Sequence, residues 1–273
     1  MKLDLYKINA FTNRYNGGNP AGVIPLKKWL PDDLMQAIAT ENGFSETAFF
    51  VPENDQFKLR WFTPGCEVNL CGHATLATVF VIANELGIEF EKYIFHTRSG
   101  ELSVRRVKNN KNAFTLNFPV NKLQPSDCPD MIASGLNIKT DNTLLECYKA
   151  DDYLLVLSSQ SDVAALTPDF SQLRRMDARG LIVTAPADDA DIDFVSRWFG
   201  GPDVNVDEDP VTGSAHCSLV PYWADRLQKN TLNARQISTR QGNLSCQLMD
   251  GRVYMTGDAV MYFKGEITNV VEE

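Results

Sequence analysis

The sequence predicts an α+β chain of two pseudo-symmetric domains, each a β-barrel-like sheet wrapped around a central α-helix. Three observations lead there. A glycine-opened apolar helical run occurs twice, at residues 70–86 (Leu-Cys-Gly-His-Ala-Thr-Leu-Ala-Thr and onward) and at 211–227 (Val-Thr-Gly-Ser-Ala-His-Cys-Ser-Leu and onward). Strand-like segments surround each run. The flanking blocks also recur in one order: Arg60-Trp61-Phe62 returns as Arg197-Trp198-Phe199, and Pro64 with Glu67-Val68-Asn69-Leu70 as Pro202 with Asp203-Val204-Asn205-Val206. Thr97-Arg98-Ser99-Gly100 then returns as Thr239-Arg240-Gln241-Gly242. An apolar helix that follows strands is most simply wrapped by them. Leu76, Val79, Phe80, Ala83 and Leu86 are therefore expected to fill one core, and Leu219, Trp223 and Leu227 the other.

Residues 2–11 alternate apolar and polar, as a half-buried strand does. Asn16-Gly17-Gly18-Asn19-Pro20 reads as a turn and 21–25 as a second strand. Asp32 and Asp33 after Pro31 open a helix that spaces Leu34, Ala37 and Ile38 on one face and stops at Asn42-Gly43. Strands follow at 46–51 and 57–63, then the Gly72 helix, then strands near 93–96, 101–107 and 113–118. Residues 119–129 hold three prolines and little apolar periodicity, which suits a linker. The expected domains are thus 1–118 and 130–273, with the last strand free to return to the first.

Hydrophobic content of 44% and charged content of 22% over 273 residues match an ordinary globular protein with a sizeable core. A formal net charge of −9 argues against a nucleic-acid partner held by its phosphates. The start carries no long apolar core and no later run is long enough to span a membrane, so the expectation is a cytoplasmic chain without a membrane partner. The six cysteines form no paired C-x-x-C motif, and they read as reduced thiols.

Each glycine-opened helix start presents unpaired backbone N–H groups and a positive dipole end, which suits an anion. His73 sits in the first turn of one and His216 in the other. At the anion-facing turn the dipole disfavours imidazolium, predicting a neutral His73 able to relay a proton. His216 reads as a buried structural histidine or as a second functional one. The second copy carries about four extra residues before its helix, in Asp207-Glu208-Asp209-Pro210-Val211. Asp209 there caps the helix or, held extended by Pro210, points into a site between the two helix starts. Glu46 leads into an apolar strand. It stands at a solvated strand start or in a pocket that would raise its pKa toward neutrality. No metal-ligand spacing links His73, His216, Asp209 and Glu46, so no metal is expected. A Ser214–His73–Asp209 hydrolase lacks its G-x-S-x-G elbow, and no nucleotide-binding loop is present.

Asn19-Pro20-Ala21-Gly22-Val23, Ser45-Glu46-Thr47-Ala48-Phe49, Cys71-Gly72-His73-Ala74-Thr75 and Asp209-Pro210-Val211-Thr212-Gly213-Ser214-Ala215-His216 together resemble the PhzF family of phenazine-biosynthesis-like isomerases. The resemblance implies the diaminopimelate epimerase fold, with the active site in the cleft between two domains. It implies a catalytic Glu46 that moves a proton within a small carboxylated substrate, aided by His73 and Asp209, without metal or organic cofactor. Ser214 and the helix starts at Gly72 and Gly213 would bind the substrate, and a homodimer is implied. Related two-thiol epimerases keep a cysteine before each helix glycine. Cys71 is the first of these, but Pro210 and Val211 stand where the second would be, so Cys71 reads as a packing relic. Two alternatives stay open: an amino-acid racemase or epimerase using Cys71, and a carboxylate-binding protein without catalysis.

Overall fold

The computed structural model describes residues 1–138, 144–204, 206–268 and 270. The chain forms two compact units, Met1–Phe118 with Tyr254–Glu273, and Pro119–Val253. The first contains β1 (Leu3–Ala10), β2 (Asn19–Pro25), α1 (Asp32–Asn42), β3 (Glu46–Glu53), β4 (Gln56–Phe62), β5 (Glu67–Val68), α2 (Gly72–Phe80), β6 (Tyr93–Thr97), β7 (Gly100–Arg106) and β8 (Ala113–Pro119). The second contains β9 (Gln124–Pro125), α3 (Asp130–Gly135), β10 (Leu144–Lys149), β11 (Tyr153–Leu157), α4 (Gln160–Ala165), α5 (Phe170–Leu173), β12 (Gly180–Pro186), β13 (Phe194–Gly200), α6 (Gly213–Leu227), β14 (Thr231–Gln236) and β15 (Gly242–Met249). β16 (Arg252–Ile267) begins at the end of the second unit and runs through the first. The proline-rich segment expected as a linker belongs to the second unit, where Gln124 and Pro125 pair with β10.

In the first unit eight strands run in the order β1-β2-β3-β4-β6-β7-β8-β16, and β16 pairs back with β1 from Leu3↔Ile267 to Ala10↔Ala259. The sheet is therefore closed, which leaves no edge to protect. All nine residues of α2 are buried, and the helix packs on β1, β2 and β3. A helix apolar on every side belongs inside a barrel.

The duplication extends to topology. β2–β3 is parallel, β3–β4 antiparallel, β4–β6 parallel and β6–β7 antiparallel. β11–β12, β12–β13, β13–β14 and β14–β15 repeat that alternation. Each parallel pair needs a crossover, and helices fill those crossovers: α1 and α2 in one unit, α4 with α5 and α6 in the other.

Each unit also carries an ion pair of the same kind. Arg60 grips Glu67 through two parallel bonds of 2.7 and 2.6 Å, and Arg197 grips Glu208 through bonds of 2.7 and 2.9 Å. The ladder agrees, since Phe62 pairs with Glu67 and Phe199 with Glu208. Glu67 thus matches Glu208, not Asp203, and the extra residues fall before Glu208. The residue directly before Gly213 is Thr212, at the place of Cys71; Asn205 lies outside the described residues.

α6 carries Pro221 in its interior, which removes the N–H that would bond the Cys217 carbonyl. The Asn121 N–H takes that carbonyl at 3.0 Å. Trp223 stacks on Phe194 at 5.7 Å between centroids and donates Nε1–H to Thr184 Oγ1 at 3.0 Å, so its burial leaves no polar atom unpaired. Leu76, Val79, Phe80, Ala83, Leu219 and Trp223 are buried as expected, but Leu86 and Leu227 are exposed. After α2 the chain makes a π turn, Val81–Glu85, closed by the Leu86 N–H to the Val81 carbonyl. The wider turn rotates Leu86 off the buried stripe. Leu227 is the last helical residue before Gln228 reverses into the left-handed region.

Candidate active site

Three segments of the first unit meet at the start of α2. Gly18 leads in with φ +63°, and a Cβ there would lie 2.2 Å from the Ala10 carbonyl oxygen, so glycine is required. It delivers Asn19 to the head of β2. Ser45 and Glu46 open β3, with Glu46 opposite Ala21 in the parallel register. Cys71 is extended at the helix N-cap, and His73 stands in the first turn.

Asn19 and His73 are buried. The Ser45 hydroxyl is shared between Asn19 Oδ1 at 3.1 Å and the Pro20 carbonyl at 3.0 Å. This turns the Asn19 amide so that Nδ2 faces His73 Nδ1 at 3.2 Å. On the Nε2 side Glu46 Oε2 stands at 3.0 Å, although off the direction that would make an aligned hydrogen bond. On the Nδ1 side stands Cys71 Sγ, at 3.5 Å.

Burial alone would raise the Glu46 pKa, but the His73 charge beside it prevails and holds it below the ordinary carboxylate value. Burial likewise opposes charge on His73, yet the Cys71 sulfur and the Glu46 carboxylate hold its pKa well above that of a free imidazole. The Cys71 thiol is pushed up by burial and further by the Glu46 charge. The expected neutral His73 is reversed, and the raised pKa that one of the two readings gave Glu46 does not hold, because each is the other's counter-ion at contact distance and this outweighs the helix dipole. Cys71 is a buried neutral thiol in direct contact with the imidazole.

The second unit assembles its own polar group at the start of α6. Asp209 accepts a hydrogen bond from the Thr212 hydroxyl through Oδ2, and its N–H donates to the Trp198 carbonyl at 3.1 Å. Gln236, fully buried, spans the turn: Nε2 donates to the Asp209 carbonyl at 2.6 Å, and Oε1 accepts from the Thr212 N–H at 2.8 Å. Ser214 Oγ accepts from Arg179 Nη1 at 3.0 Å. Arg179 is clamped by Asp152 through bonds of 2.9 and 2.5 Å, and Trp198 Nε1 donates to the same carboxylate at 3.1 Å. His216 donates Nδ1–H to the Thr212 carbonyl at 2.9 Å, while its Nε2 is buried without a hydrogen-bond partner among the described residues. Burial pushes its pKa down to about 4, so it is a neutral structural histidine. Thr75 does the same work in α2, donating to the Cys71 carbonyl at 2.6 Å.

Glu46, Gly72 and His73 therefore lie together in the first unit, and Asp209, Gly213 and Ser214 together in the second. Sequence reasoning passed over Arg179, Asp152 and Gln236, which reach the α6 start from β11–β12 and β14. Nothing in their local sequence marks them.

The fold is similar to that of a hydroxyproline epimerase from Agrobacterium vitis, which aligns with TM-score 0.56 and 10% identity over 97% of this chain and 92% of its own. That likeness is one of fold alone, and it places the chain in the epimerase-fold class. The chain belongs to the PhzF family: the family model for phenazine biosynthesis-like proteins matches residues 8–265. An uncharacterized isomerase of Pseudomonas aeruginosa is 46% identical, covering 98% of this chain and 99% of the relative. The crystal structure of a PhzF-family protein from Enterococcus faecalis superposes with TM-score 0.92 at 42% identity, over 98% of this chain and 100% of that one. The chain is an enzyme of the isomerase class. Among the described residues no helix is long and apolar enough to cross a membrane.

Proposed function

We propose that the chain is an isomerase in which Glu46 moves a proton on a small carboxylated substrate, cyclic or amino-acid-like, with no cofactor taking part. The observation that carries this reading is the pairing of a desolvated Glu46 carboxylate with His73 at 3.0 Å. His73 keeps the carboxylate ionised and fixed, so it is available as a base at neutral pH. The Glu46 carboxylate takes the proton from a carbon next to the substrate carboxylate, and the C–H electron pair moves into the adjoining π system. The protonated Glu46 then returns the proton to another carbon of the same skeleton or to the opposite face. The N–H groups at the Gly72 helix start would carry the charge that develops on the substrate carboxylate. Gly213, Ser214 and Asp209 enter as substrate anchor and second polar group on the strength of the family motif. A cytoplasmic homodimer completes the proposal, and light scattering tests the dimer.

The test is hydrogen exchange. Incubated in deuterated water with a panel of cyclic and amino-acid carboxylates, the protein should label its substrate, and Glu46→Gln should abolish labelling while the circular dichroism stays unchanged. Undiminished labelling in Glu46→Gln overturns the assignment; no labelling of any bound ligand favours the non-catalytic binder.

A second reading has Cys71 as the acid or base of a racemase, and the 3.5 Å contact of its sulfur with His73 Nδ1 favours it. It requires alkylation of Cys71 to abolish activity and substrate to protect against it. Thr212 at the matching place in the second unit denies that reading a second thiol.

A further inference from the structure

Of the six cysteines, Cys71, Cys217 and Cys246 are buried, and Cys66 is exposed beside the Thr63 hydroxyl. Cys128 and Cys147 differ: both are half-buried, and their thiols meet. The backbone brings them together. Pro125 pairs with Tyr148 where β9 joins β10, and the Ser126 N–H continues that pairing to the Cys147 carbonyl at 3.0 Å. Ser126 thus stands opposite Cys147. Two residues on, Cys128 is kept extended by the proline that follows it and falls on the same side as Ser126. Both cysteines pack against the core cluster that includes Ile132, Leu136 and Tyr153. There the Cys147 S–H donates to the Cys128 sulfur, and the Cys128 S–H reaches the Pro129 carbonyl at 3.8 Å.

We propose that Cys128 and Cys147 are a modification site for hydrogen peroxide, which joins them in a reversible disulfide with Cys128 as the attacking thiol and Cys147 as the resolving one. The thiolate is the nucleophile in such chemistry. The hydrogen bond from Cys147 holds the Cys128 thiol below its ordinary pKa, while the same bond and burial push the Cys147 thiol up. The Cys128 thiolate attacks one peroxide oxygen and the O–O bond breaks, leaving a sulfenic acid on Cys128. The departing hydroxide takes up the proton that Cys128 gave to solvent and becomes water. The Cys147 sulfur then bonds to the Cys128 sulfur, the S–O bond breaks, and the Cys147 proton leaves with the hydroxyl as a second water. Two thiols are oxidised to one disulfide, and one peroxide is reduced to two waters. A sulfenic acid beside a second thiol takes this course. Asp127 and Asp130 are exposed on either side of Cys128. Their charge repels an anionic oxidant such as glutathione disulfide and leaves a small neutral peroxide free to enter. The disulfide ties the start of α3 to β10.

Peroxide titration of the purified, fully reduced chain tests the proposal without an activity assay. One equivalent of peroxide should lower the number of alkylatable thiols by two and link the peptides that hold Cys128 and Cys147, and dithiothreitol should undo both changes. Cys147→Ser should stop the reaction at Cys128, where dimedone captures the sulfenic acid, and Cys128→Ser should leave Cys147 a free thiol. Cys128→Ala and Cys147→Ala serve where a serine variant does not fold. Glutathione disulfide at the same concentration should act roughly 10-fold more slowly or worse, and Asp127→Asn with Asp130→Asn should narrow that gap. A disulfide between other cysteines, or a Cys128 sulfenic acid that persists in the natural chain, overturns the pair. Oxidation of Cys147 in Cys128→Ser at the natural chain's rate overturns the role given to Cys128. Glutathione disulfide acting faster than peroxide overturns the choice of oxidant.

Discussion

Glu46 and His73 meet at 3.0 Å, carboxylate oxygen to Nε2, at the point where β3 begins and α2 turns its first residues inward. His73 is buried and Glu46 partly so, and each makes the other's charge tolerable. A buried ion pair of this kind stabilises little on balance, since desolvation cancels most of the attraction. It does hold one carboxylate oxygen in place, which proton transfer from carbon demands. His73→Asn should therefore lower the turnover number by roughly 10²–10⁴-fold while binding of a non-reacting carboxylate analogue changes little. Steady-state kinetics beside calorimetric titration with the analogue separate the two. Equal losses in both would make His73 a binding residue instead.

Arg179 is a positioning residue for Ser214, and its fork is set by Asp152, which is 3% exposed. Replacing Arg179 with Met leaves that carboxylate buried and uncompensated, at a cost of about 3 kcal/mol, the lower end for breaking a buried pair because the arginine is partly exposed. Adding Asp152→Asn should recover a good part of the loss in urea denaturation. Arg179→Lys keeps the charge but not the fork, so it should raise KM more than it lowers kcat. A double variant as unstable as Arg179→Met would show that packing on Trp198, not charge, is what the arginine supplies.

Much of this frame was legible in the sequence because backbone geometry imposes residue types locally. Gly72 and Gly213 open helices, Gly43 closes one in the left-handed region, and the Arg-Trp-Phe blocks repeat. What stayed hidden is contact between segments far apart in sequence. Similarity of composition matched Glu67 to Asp203. Only the ladder from Phe199 and the grip of Arg197 single out Glu208. The same holds for the site. Glu46 and His73 stood in recognisable motifs, but their shared ionisation depends on a 3.0 Å approach across the barrel that no spacing encodes. Leu86 failed for a different reason: a π turn changes the helical period, and the apolar pattern carries no sign of it.

Phe11 shows how tightly the closed barrel is packed. It is fully buried at φ 61°, a conformation that costs a non-glycine residue energy, and Gly257 on β16 makes room for its ring. A Cβ at Gly257 would lie 2.4 Å from Phe11 Cδ1. Gly257→Ala should destabilise the protein by roughly 1–3 kcal/mol through overpacking. Phe11→Leu in the same background should relieve part of that, and a double-mutant cycle in urea measures the coupling. Additive losses would mean that the strand shifts instead of the ring.

His216 ties acid stability to the α6 helix. Its pKa is pushed down to about 4 in the folded chain, against about 6.5 when unfolded. Between those values the unfolded chain binds the extra proton, so stability rises with pH. The contribution is fully present above pH 6.5 and is lost as pH falls toward 4. A separation of that size corresponds to roughly 3 kcal/mol. His216→Phe should cost about 1 kcal/mol at pH 7 for the lost bond to the Thr212 carbonyl, yet lose less on acidification than the natural chain. Urea denaturation of both at pH 7 and pH 4.5 gives the difference directly. If the two curves fall in parallel, His216 is not the group that titrates.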